Sequence, residues 1–281
     1  MQTSTKTIRS VQRTCVWLLL VSGAVVFAIP FLWMVRIALV PDDQIDMGLR
    51  LLADWSDMRY MNFATAMTVQ PFHRYFLNTY IITILGLCGE VLASSFVAYG
   101  FARKQFPGKN MIFIFMLATM MLPPQVTMIP VFILFRTFGW VDTILPLTVP
   151  SLSGAAFSIF LLRQFFMTIP RDYDDAADID GCNSFQIYSR IILPSSKPAL
   201  LTVVIFSFIG RWNDLLGPLI YLNSPDKYTL QLGLMAFRGL YSTQWNLLMA
   251  ASIVVMLPCL VLFFVAQRYF ISGILIGGLK E

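Results

Sequence analysis

Six apolar runs, each long enough to cross a bilayer, constrain this chain more than any other feature. They extend from Cys15 to Val35, Phe76 to Phe101, Met111 to Phe135, Thr143 to Phe166, Ala199 to Tyr221 and Leu248 to Phe270. A helix rises about 1.5 Å per residue, so about 20 apolar residues cover roughly 30 Å of hydrocarbon. Lipid offers the backbone no hydrogen-bond partner, and runs of this length answer that constraint as helices. The expectation is therefore an all-α, six-transmembrane-helix polytopic membrane bundle. Composition agrees, with 57% apolar and 12% charged residues against roughly 45–50% and about 25% in soluble domains. The first run is not expected to be a cleaved signal, because it exceeds a signal's apolar region and no small-x-small site follows Pro30.

Six crossings put both termini on one side. With a cytoplasmic N-terminus, twelve Lys and Arg residues fall in inner segments and seven in outer ones, leaving Arg211 within the fifth span. Positive charge favours the inside, so N-in, C-in is expected. This divides the chain into a cytoplasmic segment 1–14 and a membrane domain 15–281, with an external loop 36–75 and a cytoplasmic loop 167–198. The formal charge is +5, but the basic residues are scattered without interleaved aromatics, which argues against nucleic acid as a partner. Cys15, Cys88 and Cys259 lie in apolar runs and Cys182 in a polar loop, a placement that predicts four free thiols rather than a disulfide framework.

The 167–198 loop is unlike the rest of the chain. Pro170 ends the preceding span, and Asp172 is the expected N-cap of a new helix whose dipole Asp174 and Asp175 complement. Gly181 suits the left-handed turn that ends that helix. Ser184 is the expected cap of a second helix, with Phe185, Tyr188, Ile191 and Ile192 on one face and Pro194 at its end. One reading is an amphipathic cover for the bundle's inner end. The other is a docking element, in which Ala176, Ala177 and Gly181 admit a close partner surface and the acidic residues from Asp172 to Asp180 attract a basic one.

Asp175-Ala-Ala-x-x-Asp180-Gly181, then Phe185 and Ile191-Ile192-x-Pro194, resembles the EAA loop of permease subunits from bacterial binding-protein-dependent ABC importers. The likeness covers most of the chain. Arg103-x-x-Phe106-Pro-Gly108, Leu122-Pro with Ile129-Pro130, Trp212-Asn-Asp214-x-x-x-Pro218, and Gln267-Arg-Tyr with Gly277-Gly-x-Lys280 all look like the carbohydrate-uptake subgroup, close to the second permeases of the maltose and glycerol-3-phosphate importers. The resemblance implies a type I ABC importer permease (MetI-like) fold. It also implies a second homologous permease subunit, a dimeric cytoplasmic ATPase that uses ATP and Mg, and an extracytoplasmic solute-binding protein. Asp175, Ala176, Ala177, Asp180, Gly181 and Phe185 would then form the ATPase-coupling helix and its turn. Asp175 departs from the family's usual Glu, keeping the charge with a shorter reach.

This chain has no nucleotide-binding Gly-x-x-x-x-Gly-Lys-Ser/Thr, since Asn110 follows Gly108-Lys109. His73 is the only histidine, which leaves no histidine triad and no metal site. No catalytic residue and no bound cofactor are expected. Ionisable groups inside spans are costly and should face the bundle or a wet cavity. Glu90 in span two, and Arg211, Trp212, Asn213 and Asp214 in span five, are thus pathway or gate candidates. Arg211 and Asp214, three apart, are read as sharing a helix face, either as a structural pair or as solute contacts, with Arg211 neutralising Glu90 or Asp214 in one gate state. Prolines 123, 124, 130, 146 and 150 mark bends, static or gating. The leading expectation is half of a translocation pathway for a sugar or sugar derivative. A permease for another solute, and a membrane scaffold that docks a cytoplasmic protein, are the alternatives.

Overall fold

The computed structural model describes residues 2–41, 45, 58–239 and 243–278, with side chains described between 12 and 267. The acidic outer stretch with Asp42, Asp43, Asp46, Asp54, Trp55 and Asp57, and the last motif residue Lys280, lie outside the described residues. The chain divides into two compact units, Met1–Gln70 with Leu234–Met256, and Pro71–Gly233 with Leu257–Glu281.

In the first unit, α1 (Gln2–Leu39) runs through both the expected N-terminal segment and the first span, and carries Pro30 inside it. A short α2 (Met61–Val69) occupies part of the outer loop. Its buried Asn62 donates to the Ala38 and Val40 carbonyls at 2.9 and 3.2 Å, satisfying the open end of α1.

The second unit is built around α3 (Phe72–Arg103), followed by α4 (Lys109–Thr119), α5 (Pro124–Thr137), α6 (Leu145–Thr148) and α7 (Ala156–Thr168). The α4–α5 pair bends by 96°. Pro123 cannot donate a backbone bond and Pro124 forces the residue before it into extended geometry, so the helix cannot continue through them. The fourth apolar run is also broken. Between α6 and α7 the chain takes a 3-10 turn at Val149–Ser153, then Gly154 at φ +75°.

Next come α8 (Asp172–Ile179), α9 (Ser184–Ile187), a π-helical turn Tyr188–Ile192, and α10 (Leu193–Ser195). After a 79° bend at Ser196, α11 (Lys197–Trp212) enters the bundle, followed by α12 (Leu216–Tyr221), α13 (Leu230–Met235) and α14 (Trp245–Gly278). Among the described residues, four helical segments are long and apolar enough to cross a membrane, and counting each bent pair as one span gives the expected six. The core joins Ala98, Tyr99 and Phe101 of α3 to Leu162 and Phe166 of α7, Tyr188 and Ile192, and Val203 of α11. At the other end, Asp142 accepts from the Asn223 and Ser224 amides, the Ser224 hydroxyl and Lys227, clasping the start of the fourth span to the end of the fifth. That clasp holds the Asp142 carboxyl well below its usual range.

Candidate functional site

Two groups of polar residues stand out in the second unit, one inside the bundle and one at the α3 C-terminal end.

Inside, Glu90 of α3 is buried and both of its carboxylate oxygens are used. Ser158 of α7 donates to Oε1 at 2.7 Å, while Ser207 donates to Oε2 at 2.8 Å and Arg211 Nη2 at 2.9 Å. Arg211 Nε in turn reaches Ser207 at 3.2 Å, so the cation, hydroxyl and carboxylate form a closed ring across α3 and α11. The pair has 21% and 10% side-chain exposure. A buried charge is tolerated when paired and hydrogen-bonded, and this carboxylate meets both conditions. The sequence permits the approach because position 86 is glycine: a Cβ there would run into the Arg211 guanidinium.

The pairing of Arg211 with Glu90 is one of the two expected. The shared helix face with Asp214 is not formed, because α11 ends at Trp212 with Asn213 as its C-cap. Asp214 lies in the break and accepts from the Gly217 amide at 3.1 Å. Asn213 is exposed and donates to the Ile209 carbonyl at 2.9 Å. Trp212, expected beside a pathway, is 1% exposed, stacked on Phe208 at 5.3 Å and edge-on to Phe76 at 5.5 Å. Its bulk fills the core because the helix presents that face to α3. Beside Glu90, Arg211 and Asp214 opens a cavity of about 340 Å³, bordered also by Pro150 and Ser151 of the 3-10 turn, Gly154 and Ala155 of the break after it, Gly217 and Tyr221.

At the α3 C-terminal end, the 167–198 segment forms two short helices around a turn, as expected, with corrections of register. The first helix begins at Asp172 with Arg171 in the cap position, so the Asp172 side chain caps nothing, while Asp172, Asp174 and Asp175 supply negative charge to the first turn. Gly181 takes φ +79° as its predicted turn requires. The second cap is Asn183 rather than Ser184: Asn183 Oδ1 accepts from the Gln186 amide at 2.9 Å and Gln186 Oε1 accepts from the Asn183 amide at 2.7 Å, a reciprocal box that serine at 184 is one residue too late to make. A π turn follows at Tyr188–Ile192; Tyr188, Ile191 and Ile192 pack against the core as expected, Ile187 joins them, and Phe185 is 64% exposed. Pro194 does not close this stretch, because the helical turn runs on to Ser195.

This segment is held from behind. Arg103 Nε lies 3.2 Å from Asp174 Oδ2 and its Nη2 donates to the Ile169 carbonyl at 2.9 Å. Lys104 donates to Ser184 at 2.6 Å, and the Tyr188 and Ser95 hydroxyls are 2.8 Å apart. Ala177 is buried against the bundle, whereas Ala176, Asp175, Asp180 and Gly181 are exposed. Tyr173, Ile179 and Phe185, at 59%, 87% and 64% exposure, put apolar surface on the outward side. Asp174 is the one acidic residue turned inward; burial pushes its carboxyl up and Arg103 only partly opposes this. Sequence reasoning missed Ser158, Ser207, Lys104 and Tyr188 as holding residues. Ser207, four before Arg211, was the readable one, since that spacing puts both on one helix face.

Residues 90–275 match the family described as binding-protein-dependent transport system inner membrane component. The chain belongs to this family. It is 30% identical to the arabinooligosaccharides transport system permease protein AraQ of Bacillus subtilis over 273 residues, covering 96% of this chain and 97% of that one. It is 31% identical to the trehalose/maltose transport system permease protein MalG of Thermococcus litoralis over 272 residues, covering 94% and 96%. A crystal structure of a bacterial ABC transporter involved in the import of the acidic polysaccharide alginate contains a chain similar in fold, with a TM-score of 0.79, 22% identity, and 92% and 95% covered. The chain is thus a transport permease of the inner membrane, and the helical bundle around Glu90 is its family's domain.

Proposed function

We propose that this permease forms half of the translocation pathway of an importer for a sugar or sugar derivative. A second homologous permease completes the pathway, an extracytoplasmic binding protein delivers the solute, and a dimeric ATPase in the cytoplasm hydrolyses ATP with Mg. In this reading both termini are cytoplasmic, and the 172–195 segment lies on the ATPase side. The sugar assignment is supported by the relatives' named roles in arabinooligosaccharide and trehalose/maltose transport.

One observation carries the coupling role. The segment is fastened to α3 on one side through Arg103, Lys104 and Ser95, and offers Tyr173, Ile179 and Phe185 to solvent on the other. An element built only to cover the bundle would turn its apolar side chains inward. Here Ala177, Ile187, Tyr188 and Ile192 seal the bundle and three larger groups remain free for a partner. Asp175, Ala176, Asp180 and Gly181 border them. A push on the exposed face passes through the fastened side into α3, which alternates the access of the cavity beside Glu90 by rigid-body motion. Proteoliposomes test this: import of saccharide is expected only with ATP, both permeases, the ATPase and a loaded binding protein. Translocation by this chain alone, without nucleotide, would overturn it.

A further inference from the structure

The coupling argument uses the cavity beside the Glu90–Arg211 pair only as a space whose access changes, and its chemistry is specific. Inside a membrane bundle, an unwound backbone stretch is tolerated only where it is buried or borders a wet space. Gly154 and Ala155 form such a break after the 3-10 turn that holds Pro150 and Ser151, and all four border the cavity of about 340 Å³ together with Arg211, Asp214 and Tyr221. Glu90 and Arg211 neutralise each other at 2.9 Å. Asp214 belongs to none of the ion pairs formed among the described residues, and uses one oxygen for the Gly217 amide. Across Arg211 and Asp214 lies a small space of about 20 Å³, also bordered by Thr79 and by Thr229, whose buried hydroxyl has no partner among the described residues. That is room for one water. The lining therefore combines one uncompensated carboxylate, a guanidinium edge, a hydroxyl-bearing aromatic ring and the backbone of a helix break.

We propose that this cavity is a solute subsite in this chain for an uncharged, polyhydroxylated molecule, with Asp214 accepting hydrogen bonds from its hydroxyls and Arg211 donating to its oxygens. The inference rests on the saccharide reading above. A carboxylate is a strong acceptor for paired hydroxyls, and the formal charge of the lining, one net negative from Glu90, Arg211 and Asp214, disfavours an anionic sugar such as a uronate.

The test uses the complete transporter in proteoliposomes, with Cys15, Cys88, Cys182 and Cys259 replaced by serine and with Ala155→Cys placed in the cavity wall. A neutral oligosaccharide that the complex imports should slow thiol labelling at 155 at least fivefold, while a uronate oligomer at the same concentration should not. Asp214→Asn keeps the bond to Gly217 and should cut that protection to less than twofold. Gly217→Ala, whose Cβ would meet the Asp214 carboxylate, should do the same without removing the charge. Unchanged labelling at 155 in liposomes that do import the saccharide would overturn the subsite and leave the sugar permease standing. Equal protection by the uronate, or full protection in both variants, would overturn the role of Asp214. Absence of any saccharide import by the complete complex would overturn the saccharide reading and the subsite together.

Discussion

Two ion pairs anchor to α3, and they are built to opposite standards. Glu90–Arg211 sits inside the bundle with every carboxylate oxygen matched to a donor from another helix. Arg103–Asp174 sits at the α3 C-terminal end, where the Asp174 Oδ1 has no hydrogen-bond partner among the described residues and the Arg103 Nε, though close, is not aligned for one. A satisfied buried network resists rearrangement, because each broken bond exposes a desolvated group. An incompletely satisfied one loses little when its partners change. The inner pair is fully matched, whereas the pair that fastens the segment bearing Tyr173, Ile179 and Phe185 relies on the neighbouring bonds of Arg103 to Ile169, Lys104 to Ser184 and Tyr188 with Ser95 to complete its hold on α3.

The contrast breaks most visibly at Arg211. Arg211→Gln leaves Glu90 buried without a cation, and removal of one member of such a pair costs about 3–5 kcal/mol. The expected result is a sharp fall in thermal stability of the detergent-solubilised protein, with most of it restored in the Glu90→Gln/Arg211→Gln double variant. Near-additive losses would show that the two residues act independently. Gly86→Ala is next, since the new methyl meets the guanidinium; overpacking of this kind costs about 1–3 kcal/mol, read in the same melting experiment, and that added cost should vanish when Gly86→Ala is made in an Arg211→Ala background, compared with Arg211→Ala alone.

How much of this was legible beforehand depended on the range of the interaction. The six spans came from local hydrophobicity, which lipid translates directly into helix. Gly181 was readable because a left-handed turn needs that residue type, and Glu90 because a carboxylate in an apolar run demands a reason. Ser158 was not, because it lies 68 positions from Glu90 and serine in an apolar run carries no signal of its own partner. The expected Arg211–Asp214 face failed where the helix stops at Trp212, a boundary that depends on tertiary fit more than on residue type. Of the face expected on the second short helix, Tyr188, Ile191 and Ile192 do pack against the core and Phe185 alone is exposed.

Smaller effects sharpen the outer half of the comparison. Tyr188→Phe removes the 2.8 Å bond to Ser95 and should lower stability by about 1 kcal/mol, while proteolysis within 172–187 accelerates. The pH response should be smaller still and of opposite sign at two carboxylates. Asp174 has a raised folded pKa, so its ionised form is a penalty, present above that pKa and relieved as pH falls through it. Asp142 has a lowered one, so its contribution is present above its ordinary value of 3.8 and is lost as pH falls toward the folded value. Acid titration of Asp174→Asn and Asp142→Asn should remove the two trends separately; an unchanged profile in both variants would assign the acid response elsewhere.

Coupling through the outward face of the 172–187 segment is tested most directly by a single cross-link. A cysteine at Ile179, 87% exposed, should join the ATPase subunit through a short thiol-reactive linker in an uptake-competent complex, with a yield that changes when nucleotide closes the ATPase. A complex that imports its solute while this position never cross-links to the ATPase would contradict the account.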